Sequence, residues 1–190
     1  MFVRGIYTAA AVLLLWQGEA AAVQQLKSLY TAIDPRTCET IREEGASARL
    51  CKGLPGYPIY ISEGGLRTYF SVGPDAGNRQ AAQQTLNSDN SLFDPTGGRG
   101  TVEWRFVIRD EQPVPYATIV RYFTHAADRS GEVLVVTRVT EDEACQVAYV
   151  DALATPDAIV LARKLADTVA RSGVCPVEPV VHGLVGRSPM

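Results

Sequence analysis

Residues 145–175, CQVAYVDALATPDAIVLARKLADTVARSGVC, contain the reading that decides the fold. Cys145 to Val150 is apolar and β-rich. Further on, Ala158, Leu161, Ala162, Leu165 and Val169 recur at helical spacing. A strand running into one amphipathic helix, with a cysteine at each end, is the stapled corner of an α+β domain. Thr155 stands where an N-cap belongs, Pro156 suits the first turn, and Gly173 ends the helix. Arg163, Lys164, Asp167 and Arg171 lie elsewhere on its surface, so the apolar stripe is expected to pack on a sheet.

The sheet is legible upstream. Thr101 to Arg109 alternates, with Val102, Trp104, Phe106 and Ile108 on one face and Glu103, Arg105 and Arg109 on the other, the pattern of a half-buried strand. Tyr116 to Thr124 returns antiparallel to it. Tyr57 to Ser62 and Leu66 to Val72 flank Gly64-Gly65, a two-residue hairpin turn. Glu132 to Thr140 and Cys145 to Val150, joined by Glu141-Asp142-Glu143, make a third hairpin. Its Val133-Leu134-Val135-Val136 run is apolar on both faces and therefore central. Leu26 to Ile33 fits a short strand or a lead-in. Asp34-Pro35 predicts a short helix over Thr37 to Glu44, and the polar stretch 73–100 has room for another between Asn78 and Leu86. Grouped strands followed by one helix predict an α+β domain: an antiparallel sheet of about six strands with a C-terminal helix packed on it, stapled by disulfides.

The N-terminus sets the compartment. Arg4, the apolar run Ile6 to Trp16 and Ala20-Ala21-Ala22 have the layout of a signal peptide, residues 1–22, cut after Ala22. The run is shorter than the roughly 20 residues that span a bilayer, so no transmembrane anchor is expected after cleavage. A periplasmic or secreted domain over 23–175 and a flexible tail over 176–190 follow. Cys38, Cys51, Cys145 and Cys175 all survive cleavage and imply disulfides in an oxidising compartment. Four cysteines allow three connectivities. Nearest-neighbour pairing, Cys38 with Cys51 and Cys145 with Cys175, closes one local unit per loop. The close cysteine pairs of a zinc site are absent.

The formal net charge of −3, without a basic run, gives no footprint for nucleic acid. No G-x-S-x-G or S-x-x-K spacing occurs, and no catalytic residue, cofactor or metal is assigned. Asn87 to Ser91 resembles the start of a calcium loop, but Leu92 and Gly98 stand where the glycine and the bidentate acid belong. Two surfaces remain as candidates for binding. With Gly64-Gly65 as the turn, the outer hairpin face sets Tyr60 opposite Tyr69, beside Arg67. A register centred on Gln112 sets Glu103 opposite Arg121.

The segments Cys145 to Ala152, Ala162 to Asp167 and Cys175, with Glu103-Trp104-Arg105 and Gly56-Tyr57-Pro58, resemble a family of small uncharacterised secreted proteins of alphaproteobacteria. The resemblance implies a bacterial envelope setting and no particular activity. The leading expectation is a non-enzymatic secreted or periplasmic binding protein that recognises a protein or envelope component. The alternative is an envelope hydrolase using Glu103, His125 or Asp151, which requires these groups to converge in one cleft.

Overall fold

The computed structural model describes residues 26–43 and 46–190, so the expected signal peptide lies outside the described residues. The strands are β1 (Lys27–Ile33), β2 (Glu39–Glu43), β3 (Ala46–Leu54), β4 (Tyr57–Gly64), β5 (Arg67–Val72), β6 (Asp89–Ser91), β7 (Gly100–Arg109), β8 (Gln112–Ala126), β9 (Arg129–Val139), β10 (Ala144–Asp151) and β11 (Val180–His182). Among the described residues one α-helix, α1 (Ala158–Leu165), continues through a wider turn over Ala166–Ala170. The α+β class holds, with more strands than expected and in two sheets. The order β1-β7-β8-β9-β10-β11, with β6 also on β8, makes a seven-stranded sheet; β2-β3-β4-β5 makes a second, antiparallel one. β11 joins β10 in parallel, so the large sheet is mixed.

Alternation in the strands builds two cores. Val102, Trp104, Val120, Tyr122, Val133 and Val135 point from the large sheet toward Ile59, Ile61, Phe70 and Val72 of the small one. Each buried side chain of this size contributes about 1.5–3 kcal/mol. The opposite face presents Ile119, Leu134, Val136, Cys145 and Ala148 to Ala158, Ala162, Leu165, Ala166 and Ala170 of the helix. The helix stripe departs from its expected form because the wider turn rotates the chain. Ala166 and Ala170 face the sheet and Val169 is exposed. Bulges at Tyr116 and Val147 each put two successive residues on the helix side.

Four local expectations are corrected. Glu39–Glu43 is a strand, because it pairs along β3 next to the disulfide joining Cys38 to Cys51. Only Pro35–Thr37 turns, with the Asp34 carboxylate accepting from Arg36 N (3.1 Å). The 73–100 stretch carries two short 3₁₀ turns, at Ala76–Asn78 and Gln80–Gln83, and is anchored in the cores by Ala81, Leu86 and Leu92. The segment 176–190 is docked. β11 pairs with β10, Ser188 is buried, and Met190 packs on the inter-sheet core. Thr155 does not cap the helix: its hydroxyl donates to Leu184 O and accepts from Leu184 N, both at 3.0 Å. A Cβ on Gly131 would lie 2.5 Å from Ser188 Cα, so this approach requires glycine. The second disulfide joins Cys145 to Cys175; both pairings are those expected.

Candidate functional site

The two expected binding pairs come apart. The β4–β5 turn is Gly65-Leu66, so Ile61 pairs with Phe70 and Tyr60 with Ser71. A shift of two residues keeps the faces but separates Tyr60 from Tyr69. Tyr60 is only 4% exposed, beneath the 76–78 turn, where a Cβ on Gly77 would lie 3.1 Å from its ring. Arg67 and Tyr69 instead line a cleft between residues 83–87 and the C-terminal segment. Glu103 lies opposite Ile119 rather than Arg121, because the β7–β8 turn is Asp110-Glu111 and Tyr116 adds a bulge. Arg121 forms its ion pair with Glu132.

Glu103 is 4% exposed and faces the helix. It accepts from Arg163 Nε (2.7 Å) and from Ser28 Oγ (2.5 Å). Ser28 Oγ also accepts from Arg105 Nη1, and Arg105 forms a two-pronged pair with Asp167 (2.9 and 2.7 Å). Tyr116 donates to Asp167 at 2.7 Å. These charges are saturated by one another and dock the helix.

Asp151 is fully buried. It accepts from Leu153 N and Ala154 N at 3.1 Å, from Arg187 N and Ser188 N at 2.9 Å, and from Ser188 Oγ at 2.6 Å. Burial works to raise its pKa, but the hydrogen bonds from Ser188, Arg187 and Ala154 outweigh it and hold the carboxyl below its ordinary value. Glu103 and Asp151 each close on other partners, and neither lines the cavity that holds His125.

His125 does belong to a site. Beyond the reach of α1, the helix-side face of the large sheet is open, and register places two cross-strand rows on it: Ser91–Phe123–Glu132 and Asp89–His125–Ser130. These rows floor an open cavity of about 580 Å³, walled by Leu66 and Pro95 on one side and Leu153 on the other. That volume is in the range of small-ligand sites. Leu66 is held at φ 63° in the β4–β5 turn and is 78% exposed, an uncommon conformation for a side chain of its size. β6 reaches the cavity because Asn90 ties it to β5: Thr68 N donates to Asn90 Oδ1 (3.0 Å) and Asn90 N to Leu66 O (3.0 Å).

Within the cavity, His125 Nδ1 lies 3.3 Å from Ser130 Oγ. Asp89 occupies the row on the other side of His125 but makes no hydrogen bond to it among the described residues. Phe123, Ser130, Asp89 and Leu66 were not singled out from the sequence, because their proximity exists only through register. Among the described residues no group of three or more His, Cys, Asp and Glu side chains could hold a metal ion. Comparison with family models, curated proteins and solved structures gave no match to this chain, so the site is read from its geometry.

Proposed function

We propose that this is a non-enzymatic periplasmic or secreted protein that binds a saccharide-type component of the cell envelope in the Phe123 cavity. The observation that carries the reading is the half-buried Phe123 ring on an open sheet face, flanked by Asp89, His125 and Ser130 and edged by Leu66 and Leu153. An apolar platform suits the C–H face of a sugar ring, and the surrounding oxygens and ring nitrogens suit its hydroxyls. The two disulfides fit an oxidising compartment. No helix among the described residues is long and apolar enough to cross a membrane.

Co-sedimentation with purified peptidoglycan and with lipopolysaccharide vesicles tests the reading. The wild-type chain is expected to pellet with at least one of them, Phe123→Ala to lose most of that binding, and Arg36→Ala, whose exposed side chain pairs with Asp34 outside the cavity, to retain it. Binding to neither, or binding indifferent to Phe123→Ala, sinks the assignment. A second reading, hydrolysis, is favoured only by the His125–Ser130 contact, with Asp89 in the same row. It requires release of soluble fragments from the same material, abolished by Ser130→Ala.

A further inference from the structure

The end of β8 remote from the Phe123 cavity borders a second cleft, of about 280 Å³. Its apolar wall is Val107, Val114 and Pro115, and Arg109, Arg138 and Arg171 converge on it from β7, β9 and the last helical turn. We propose that this cleft binds an oxyanion, the carboxylate or phosphate group of a small ligand whose apolar body lies along that wall.

The arginines are positioned rather than merely present. The Arg171 guanidinium lies over the Tyr116 ring, 5.5 Å from its centroid. Arg138 Nη1 donates to Ala170 O at 2.6 Å, which fixes the fork and covers a helix-end carbonyl that would otherwise repel an anion. Arg138 Nε is then left buried without a hydrogen bond. Its ion-pair partner, Glu143 Oε2, is 3.7 Å away on a side chain that is 53% exposed.

Elsewhere in the molecule the same chemistry closes tightly, with Arg105–Asp167 and Arg163–Glu103 both at 2.7 Å. A buried guanidinium donor facing a loose, solvent-reachable carboxylate marks a place where a better-fitting acceptor can enter while Glu143 swings into water. Glu141 lines the cleft, and Glu143 reaches it only through Arg138; both acids limit affinity in the absence of a ligand that displaces them. The chain as a whole carries −3, so this concentration of arginine stands out against an acidic background.

Calorimetric titration of the disulfide-intact protein with inorganic phosphate and with benzoate, at constant ionic strength, tests the proposal. One-to-one binding of at least one anion is expected, weakened about tenfold or more by Arg109→Ala combined with Arg171→Ala. Glu143→Gln is expected to tighten binding about two- to fivefold, since it removes the resident competitor at an exposed position. Arg121→Ala, remote from the cleft, should leave it unchanged. Binding of phosphate alone assigns a phosphoryl group, and binding of benzoate alone assigns a carboxylate. Binding of neither anion, binding untouched by the double substitution, or a loss of affinity in Glu143→Gln overturns the site.

Discussion

The two faces of the seven-stranded sheet are covered by different chemistry, the helix side only in part. Toward the second sheet, β7 offers Val102 and Trp104 to an apolar layer; toward the helix it offers Glu103 and Arg105 to Arg163 and Asp167. All four of these β7 side chains are buried. Alternating apolar and charged residues therefore mark which side a residue faces, and do not mark which side meets water. The charged side fixes geometry: two-pronged arginine–carboxylate pairs tolerate one orientation of the helix, whereas apolar burial is non-directional. That orientation leaves the Phe123 end of the sheet uncovered and brings Arg171 to the other end.

Adjacent residues give the sharpest way to break this comparison. Trp104→Ala removes a fully buried ring whose Nε1 donates to Thr31 Oγ1 at 3.0 Å, and should cost about 4 kcal/mol in chemical denaturation. Glu103→Ala, one position along on the other face, should cost only about 2 kcal/mol, because Arg163 is 37% exposed and can turn to water. Equal losses would mean that the charged layer carries as much stability as the apolar one, contrary to this account.

The disulfides divide between the same two faces. Cys145–Cys175 spans 30 residues behind the helix, and Cys38–Cys51 spans 13 beside the inter-sheet core. On chain entropy, replacing the first pair by serine should cost about 3.7 kcal/mol and the second about 3.0 kcal/mol. If the shorter loop proves the costlier to open, native packing at Cys51 outweighs chain entropy.

Much of the framework was legible because it depends on local pattern. The hairpins over 57–72, 101–124 and 132–150, the strand-to-helix corner and the cysteine pairing all follow from alternation, turn residues and nearest neighbours. What failed depends on where a turn or a bulge falls. The turn at Gly65-Leu66, and the turn at Asp110-Glu111 together with the bulge at Tyr116, moved the pairings of Tyr60 and Glu103 by two places, which kept both residues on their expected faces and destroyed both proposed pairs, Tyr60 with Tyr69 and Glu103 with Arg121. Thr37 to Glu44 has helix-forming residues behind a cap, yet tertiary pairing with β3 made most of it a strand. In the candidate site only His125 stood out beforehand. Ser130, Asp89 and Phe123 are ordinary residues until β6, β8 and β9 align them, and a long-range register leaves no mark in a short window of sequence.

The smallest expected effect separates the two faces by pH. Tyr116 lies on the charged side, and burial together with its hydrogen bond to the Asp167 carboxylate raises its pKa from 10.0 to about 12. A phenol whose folded pKa is raised binds its proton more tightly in the native state. Its contribution is therefore fully present below pH 10 and is lost as pH climbs from 10 to about 12. Tyr116→Phe should be about 1 kcal/mol less stable than wild type at pH 7, from the lost hydrogen bond. The gap should then narrow as both are unfolded in guanidinium at successive pH values above 10, because only the wild type must release this proton. Trp104→Phe, on the apolar side, should keep a constant offset from wild type over the same range. Parallel curves for Tyr116→Phe would show that the Asp167 contact does not hold the tyrosine in its neutral form, and that the helix-side charges are less tightly joined than their distances indicate.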